Sequence, residues 1–247
     1  MKLTDFYSTC PVCTPSRSSL LTGCYPRRVN MHVDEKNLCV LFPAARKGLN
    51  PSEETVAEVL KKQGYATMCI GKWHLGDHPD FMPTSQGFDH YYGIPYSNDM
   101  NRKAVPLPLV RDLTAIEDSV QRDTTITARY TEEAVKFIKS NRKRPFFLYL
   151  PHTAVHLPLV PGERFKGTSK DGPYGDWVQE IDWSMGQLFD ALKESGVDEN
   201  TLVLFTGDNG THKSITSKLP GMDLKGGKGS MTEAGSRVPL LAWWPGT

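Results

Sequence analysis

Five short clusters in this chain of 247 residues carry groups that could do chemistry. Cys13-Thr14-Pro15-Ser16-Arg17 puts a nucleophile at the entry to a short helix. The free N–H groups of a first helical turn, together with the helix dipole, favour an anion at that point. Arg17 lies one turn further on and can reach back toward it. Gly71-Lys72-Trp73-His74-Leu75-Gly76 joins a compact positive charge to a group that moves protons near neutral pH. Pro151-His152-Thr153-Ala154-Val155-His156-Leu157-Pro158 offers two more histidines. Gly207-Asp208-Asn209-Gly210 sets two hard oxygen donors side by side, a choice that suits Ca²⁺ or Mg²⁺. In Lys225-Gly226-Gly227-Lys228-Gly229 the glycines allow close approach of the backbone while a lysine reaches an anion.

Each cluster also has an ordinary reading. Cysteine is commonly a small buried hydrophobe, Asp-Asn-Gly is turn chemistry, and a loop histidine is often only solvated. Cys10-x-x-Cys13 has the spacing of half a zinc site or of a redox pair. No second Cys-x-x-Cys exists to complete a zinc site.

The elements that must position these residues alternate between helix and strand. Residues 14–23 read as a turn and a short helix with Pro15 in its first turn. Ser52-Glu53-Glu54-Thr55 opens an amphipathic helix that Gly64 stops, and Tyr65 to Ile70 is a strand. Residues 77–122, rich in Pro, Asp and Asn, read as an excursion of long loops. Thr125 to Ser140 is a helix, Phe146 to Leu150 a strand, Trp177 to Ser195 a helix and Thr201 to Thr206 a strand. Pro239 to Trp244 is the last strand. Apolar strands alternating with helices predict an α/β fold whose mainly parallel sheet is sandwiched by helices. In such sheets chemistry gathers at the carboxyl ends of strands. Three clusters, at 71–76, 151–158 and 207–210, follow strands directly, so they should converge.

The 29 basic residues nearly cancel the 28 acidic ones. No general attraction to nucleic acid or to an anionic membrane follows, so an anion needs a local site. No apolar run is long enough to span a bilayer, and Met1-Lys2-Leu3-Thr4-Asp5 has no signal-peptide core. Five cysteines, an odd number, leave at least one thiol outside any disulfide framework.

Cys13-Thr14-Pro15-Ser16-Arg17 followed by Leu21-Thr22-Gly23 resembles the signature of the formylglycine-dependent, arylsulfatase A-like sulfatases of the alkaline-phosphatase superfamily. Gly71 to Gly76 resembles a second signature of that family. The family's histidine two residues before a proline selects His156, with His152 nearby. Asp208-Asn209 resembles its metal ligands, and Lys228 matches its Gly-Lys-Gly segment. Gly93-Ile94-Pro95-Tyr96-Ser97-Asn98-Asp99 resembles an arylsulfatase A segment whose serine, here Ser97, lies near the sulfate. The resemblance runs from about Phe6 to Pro245.

It implies a sulfatase catalytic domain of the alkaline-phosphatase-like fold over residues 1–247, acting on a small-molecule or carbohydrate sulfate ester. A formylglycine-generating enzyme would convert Cys13 to an aldehyde, whose hydrate attacks sulfur and then releases sulfate by breaking its own carbon–oxygen bond. Asp208, Asn209 and the modified Cys13 would hold Ca²⁺ or Mg²⁺. Lys72, Ser97, His156 and Lys228 would contact the substrate. Arg17 would hold the diol and the metal side, while His156 and His74 would serve as acid and base, roles that could be exchanged. The family works in the periplasm, outside the cell or in the lysosome. Its opening strand, which ends in two adjacent metal-binding aspartates, has no match before Cys13, and the chain stops before the family's smaller C-terminal domain. The expectation from sequence is therefore a chain truncated at both ends that binds Ca²⁺ poorly by itself. Phosphodiester or phosphonate hydrolysis on the same fold, or a non-catalytic remnant, are the alternatives.

Overall fold

The computed structural model describes residues 1–100, 106–215, 217–219, 222–224 and 227–245. Lys225 and Gly226 of the glycine-lysine cluster lie outside these residues. Strand β1 (Lys2–Tyr7) leads into helix α1 (Cys13–Thr22), which ends at Gly23 in the left-handed conformation that glycine adopts without strain. Helix α2 (Val56–Lys62) starts from a capping box. Thr55 accepts the Glu58 N–H on its hydroxyl, and the Glu58 carboxylate accepts the Thr55 N–H. Strand β2 (Ala66–Lys72) follows, then β3 (His90–Ile94), β4 (Leu109–Arg111), β5 (Thr114–Glu117), helix α3 (Ile126–Asn141) and β6 (Phe146–Tyr149). Helix α4 (Gly172–Ser195), β7 (Val203–Thr206), β8 (Ser217–Leu219), β9 (Met222–Leu224), a short α5 (Glu233–Ser236) and β10 (Arg237–Trp243) complete the order.

The α/β class stands, but the sheet is mixed rather than mainly parallel. One sheet has the order β5-β4-β3-β2-β6, and a second has the order β1-β10-β7. Among the described residues only β2 pairs in parallel, with β3 and β6; the β3–β4, β4–β5, β1–β10 and β10–β7 pairs, and the separate β8–β9 pair, are antiparallel. The cause is connection length. A parallel pair needs a crossover element, whereas β4 and β5 are joined by Asp112 and Leu113 alone, with Asp112 at positive φ. The excursion read at 77–122 thus contains three strands, and β3 is one of the central ones.

β2 is buried along its whole length, as expected of a strand paired on both sides and covered on both faces. Helix α3 packs on β2, β3 and β6, and α4 packs on α3. Tyr130, Ala134 and Ile138 of α3 form its buried stripe, with Trp177, Leu188 and Leu192 contributed by α4. Trp177 keeps its polar handle satisfied by donating from Nε1 to Thr127 Oγ1 at 3.0 Å. Burial of such a side chain contributes about 2–3 kcal/mol.

Two glycines set the spacing at the end of β2. Gly71 has φ +125°, and a Cβ there would lie 2.1 Å from the Pro151 carbonyl oxygen. A Cβ on Gly93 would lie 1.9 Å from the Gly71 carbonyl oxygen. By contrast, a Cβ on Gly186 in α4 meets nothing within 4 Å. Gly71→Ala should therefore lower the unfolding free energy by about 2 kcal/mol or more through backbone strain and overpacking. Gly186→Ala should leave it unchanged or raise it by up to about 1 kcal/mol. Urea denaturation of both variants checks this, and equal stabilities would refute the packing described at the end of β2.

Candidate active site

The strand ends of both sheets meet at α1. Cys13 is the first residue of that helix and is buried. Val12, which precedes it, supplies no side-chain cap, so no capping side chain occupies the N–H groups of the first turn. Lys72, the last residue of β2, donates from Nζ to Cys13 Sγ at 3.2 Å. Its ammonium is buried, and that burial depresses its pKa, opposed in part by the Cys13 charge.

Arg17 links three elements. Its Nε and a terminal nitrogen approach Asp208 Oδ2 at 2.9 and 2.8 Å, and its other terminal nitrogen donates to the Lys72 carbonyl at 2.7 Å. Burial opposes ionisation of Asp208, yet the Arg17, Lys72 and Lys228 charges outweigh it and hold the carboxyl well below the usual range. Arg17 therefore grips the Asp208 side of the site and the end of β2.

His74 sits just beyond β2 at φ +65°, and its backbone is tied down by the Thr14 hydroxyl, which donates to its carbonyl at 3.0 Å. Its Nε2 lies 3.0 Å from the Leu41 carbonyl, which can only accept, so Nε2 carries the proton. Nδ1 is then an acceptor, buried and without a partner. His156, beyond β6, is arranged in the same manner. Its Nδ1 donates to the Leu157 carbonyl at 2.7 Å, which leaves Nε2 as the acceptor. Burial, then the Lys72 and Lys228 charges, push its pKa down to about 3. Lys228 is half-buried on a loop fixed by its own N–H to Thr211 O, at 2.8 Å, and by Gly229 N–H to Pro11 O, at 2.9 Å. Its charge is felt by Lys72, His74, His156 and Asp208.

Ser97 is fully buried next to Tyr96, whose ring packs edge-on to His74, and its hydroxyl has no partner. Asn209 donates from Nδ2 to Gly210 O at 2.9 Å while its buried Oδ1 is unpartnered. That orphan oxygen beside an ionised Asp208 fits a hard divalent cation by donor type. Among the described residues no group of three or more His, Cys, Asp or Glu side chains could hold a metal. His152 packs against Tyr130, with ring centroids 6.4 Å apart, and neither of its buried ring nitrogens has a partner. A concavity of about 270 Å³ lies nearby, lined by Pro43, Asp77, Tyr96 and Leu107 among others. It shares Tyr96 with the surroundings of His74 but contains none of the ionisable groups around Cys13.

The sequence reading missed the residues that hold the His156 loop. Asp99 Oδ1 lies 3.8 Å from His156 Nδ1, and Asn98 Nδ2 donates to the Pro158 carbonyl at 3.1 Å. Their position directly after Ser97 was the available signal. It also missed Leu41, whose carbonyl fixes His74.

The sulfatase family profile matches residues 1–247. Human arylsulfatase A is 39% identical over 271 residues, covering all of this chain and 52% of the relative. Mouse N-acetylgalactosamine-6-sulfatase is 38% identical over 263 residues, covering all of this chain and 51% of the relative. The chain spans about half the length of these curated relatives. Among solved structures, the PsFucS1 sulfatase from Pseudoalteromonas sp. is 30% identical with a TM-score of 0.83, over 99% of this chain and 54% of that one.

Three histidine rings are held neutral, His74 fully buried and His152 and His156 half-buried, and the stability of the protein should show it. Burial puts the His152 pKa at about 4 and that of His156 at about 3, and depresses that of His74 strongly. In the unfolded chain all three titrate near 6.5. Below about pH 6.5 the unfolded state binds protons that the folded state refuses, so stability is full above that pH and falls toward pH 4. Each histidine should contribute about 1.4 kcal/mol per pH unit in that window. Urea midpoints measured at pH 7.5 and pH 5 should fall accordingly, and the slope should shrink in His152→Gln. An unchanged midpoint would contradict the burial of these rings.

Proposed function

We propose, for a chain that belongs to the sulfatase family, that the cluster around Cys13 hydrolyses sulfate esters with a formylglycine made from Cys13. The observation that carries this reading is the buried Lys72 ammonium, 3.2 Å from Cys13 Sγ. Position 13 is thereby the meeting point of a nucleophile and of positive charge that only an anionic substrate would match.

The modified residue would supply a nucleophilic hydroxyl, and a divalent cation would add positive charge against the sulfate oxygens. Asp208 and Asn209 would hold that cation, together with the oxygens at position 13. Their hard oxygens and the ionised state of Asp208 support Ca²⁺ or Mg²⁺.

The remaining work falls to residues of the chain itself. Lys72 and Lys228 bind the sulfate and stabilise charge that grows on its oxygens in a site shielded from water. Arg17 fixes Asp208 relative to α1. His74 presents an unprotonated Nδ1, so it is suited to take a proton from the hydroxyl at position 13. His156 keeps Nε2 as its acceptor and feels the charges of both lysines. Burial is the larger cause of the neutral ring and the lysine charges the smaller; an anion seated on those lysines offsets their share, so substrate binding shifts the ring toward the protonated form that can donate to the leaving alcohol. The Ser97 hydroxyl is free to hydrogen bond to the substrate.

The names of the relatives favour a sulfated carbohydrate or aryl sulfate as substrate. The formylglycine-generating enzyme is the partner this reading requires, and the location it fits is periplasmic, secreted or lysosomal. Among the described residues no helix is long and apolar enough to cross a membrane.

Produced alongside the modifying enzyme, the protein should show an aldehyde in place of the Cys13 thiol by peptide mass spectrometry. Lys72→Ala and Lys228→Ala should each lower kcat/KM on an aryl sulfate at least about tenfold, roughly 1.4 kcal/mol of transition-state stabilisation. Wild-type turnover with an unmodified thiol at position 13 would overturn the proposal, as would faster cleavage of an aryl phosphate diester.

A further inference from the structure

The first turn of α1 commits a second side chain to the surroundings of the site. Consecutive residues of a helix point about 100° apart, so Cys13 and its neighbour Thr14 meet different parts of the chain that leaves β2. Cys13 faces the Lys72 ammonium at 3.2 Å, while the buried Thr14 hydroxyl donates to the His74 carbonyl at 3.0 Å. The same hydroxyl accepts the Leu41 N–H at 3.2 Å. The Leu41 carbonyl in turn lies 3.0 Å from His74 Nε2. Three residues far apart in sequence thus close a circuit of three hydrogen bonds.

The circuit runs in one direction only. A backbone carbonyl can only accept and a backbone N–H can only donate. The Thr14 proton therefore goes to His74 O, and its oxygen takes the Leu41 N–H. His74 Nε2 must then carry the proton that Leu41 O accepts. Nδ1 is left as a buried acceptor without a partner. The other contacts of these residues hold the arrangement in place. His74 N–H donates to Pro95 O at 2.8 Å. Its φ of +65° is a conformation that a non-glycine residue keeps only where its surroundings over-determine it. Leu41 is fully buried and follows a turn in which the Asp34 carboxylate accepts the N–H groups of Lys36 and Leu38, both at 2.7 Å. Without the Thr14 hydroxyl the Leu41 amide would lose its acceptor inside the protein, a loss that favours movement of the segment. Nε2 would then lose the carbonyl that selects its tautomer.

We propose that Thr14 is a positioning residue for the chemistry at position 13: its hydroxyl holds Leu41 and His74 in the one arrangement that leaves His74 Nδ1 able to accept a proton. The part played by His74 in turnover rests on the proposed function; the circuit itself does not. Thr14 acts through His74 and touches no reacting atom. Its effect should fall on turnover and not on substrate binding, since the side chains of Lys72, Ser97 and Lys228 make none of the circuit's bonds.

The test compares Thr14→Val, which keeps the shape and removes the hydroxyl, with Thr14→Ser, which keeps the hydroxyl. Both are made in the full chain alongside the modifying enzyme, and rates on an aryl sulfate are expressed per aldehyde counted by mass spectrometry. Thr14→Val should lower kcat at least about tenfold with KM within about twofold, and Thr14→Ser should keep at least about half of kcat. Nitrogen NMR of the histidine rings reads the circuit without turnover. In the wild type His74 Nε2 should carry the proton and Nδ1 should not; in Thr14→Val the two nitrogen signals should move toward each other as both tautomers populate. Equal kcat per aldehyde in Thr14→Val, or as large a loss in Thr14→Ser, would overturn the proposal. So would His74 signals that Thr14→Val leaves unchanged. A proton on Nδ1 in the wild type would overturn it as well, and that measurement needs no variant to fold. A wild type with the expected His74 signals but no sulfate ester turnover would count against the proposed function and not against the circuit.

Discussion

The site depends on one buried side chain. Arg17 spends three donors on two partners: two on Asp208 Oδ2 and one on the Lys72 carbonyl. Those partners come from different sheets, since Lys72 ends β2 and Asp208 follows β7, and no strand pairing joins the two sheets among the described residues. Arg17 also belongs to the helix that Cys13 begins. Cys13, the buried lysine and the carboxylate are thus placed by one planar group. Guanidinium suits this because its donors lie in a fixed fork and it stays charged when buried. A lysine could not make the same three contacts, and a neutral side chain would leave Asp208 without its principal partner.

The second constraint is an excess of positive charge. Arg17, Lys72 and Lys228 bear on one carboxylate and the Cys13 thiol. Burial alone would drive a lysine toward neutrality and a carboxylate toward protonation. The observed directions follow this contest: the Lys72 pKa is lowered, and that of Asp208 is held down by its cationic neighbours. Three of the buried polar atoms without partners, His74 Nδ1, Ser97 Oγ and Asn209 Oδ1, belong to residues of the candidate site. Such groups are costly in a finished core. An anion with several oxygens and a cation would offer these three atoms the partners they lack.

Much of this was legible in the sequence because the decisive signals are local. The strand-then-cluster order read at 65–76 and 201–210 places Lys72, His74, Asp208 and Asn209 at strand ends, where the structure has them. The α2 cap was legible too, although the helix begins after Thr55 and not at Ser52, since the box closes between Thr55 and Glu58. α4 begins at Gly172, five residues before the expected Trp177, because a proline in the first turn initiates a helix as readily as it breaks one. What could not be read was contact between distant segments. His90-Tyr91-Tyr92-Gly93-Ile94 passed for loop because it sits in a stretch rich in Pro, Asp and Asn; the glycine at 93 leaves room for the Gly71 carbonyl on the neighbouring strand. The mixed sheet, the Leu41–His74 bond and the Asp99–His156 approach depend on the same kind of long-range placement.

The central claim is that the Arg17–Asp208 contact joins the two halves of the site. A double-mutant cycle on Arg17→Met and Asp208→Asn, read as unfolding free energy in urea, measures it directly. Each single change leaves a buried charge without its partner, so the account predicts a coupling energy of about 2 kcal/mol or more, with the double variant less damaged than the sum of the singles. Additive effects, with coupling below about 0.5 kcal/mol, would show that the halves are held together by something other than this ion pair.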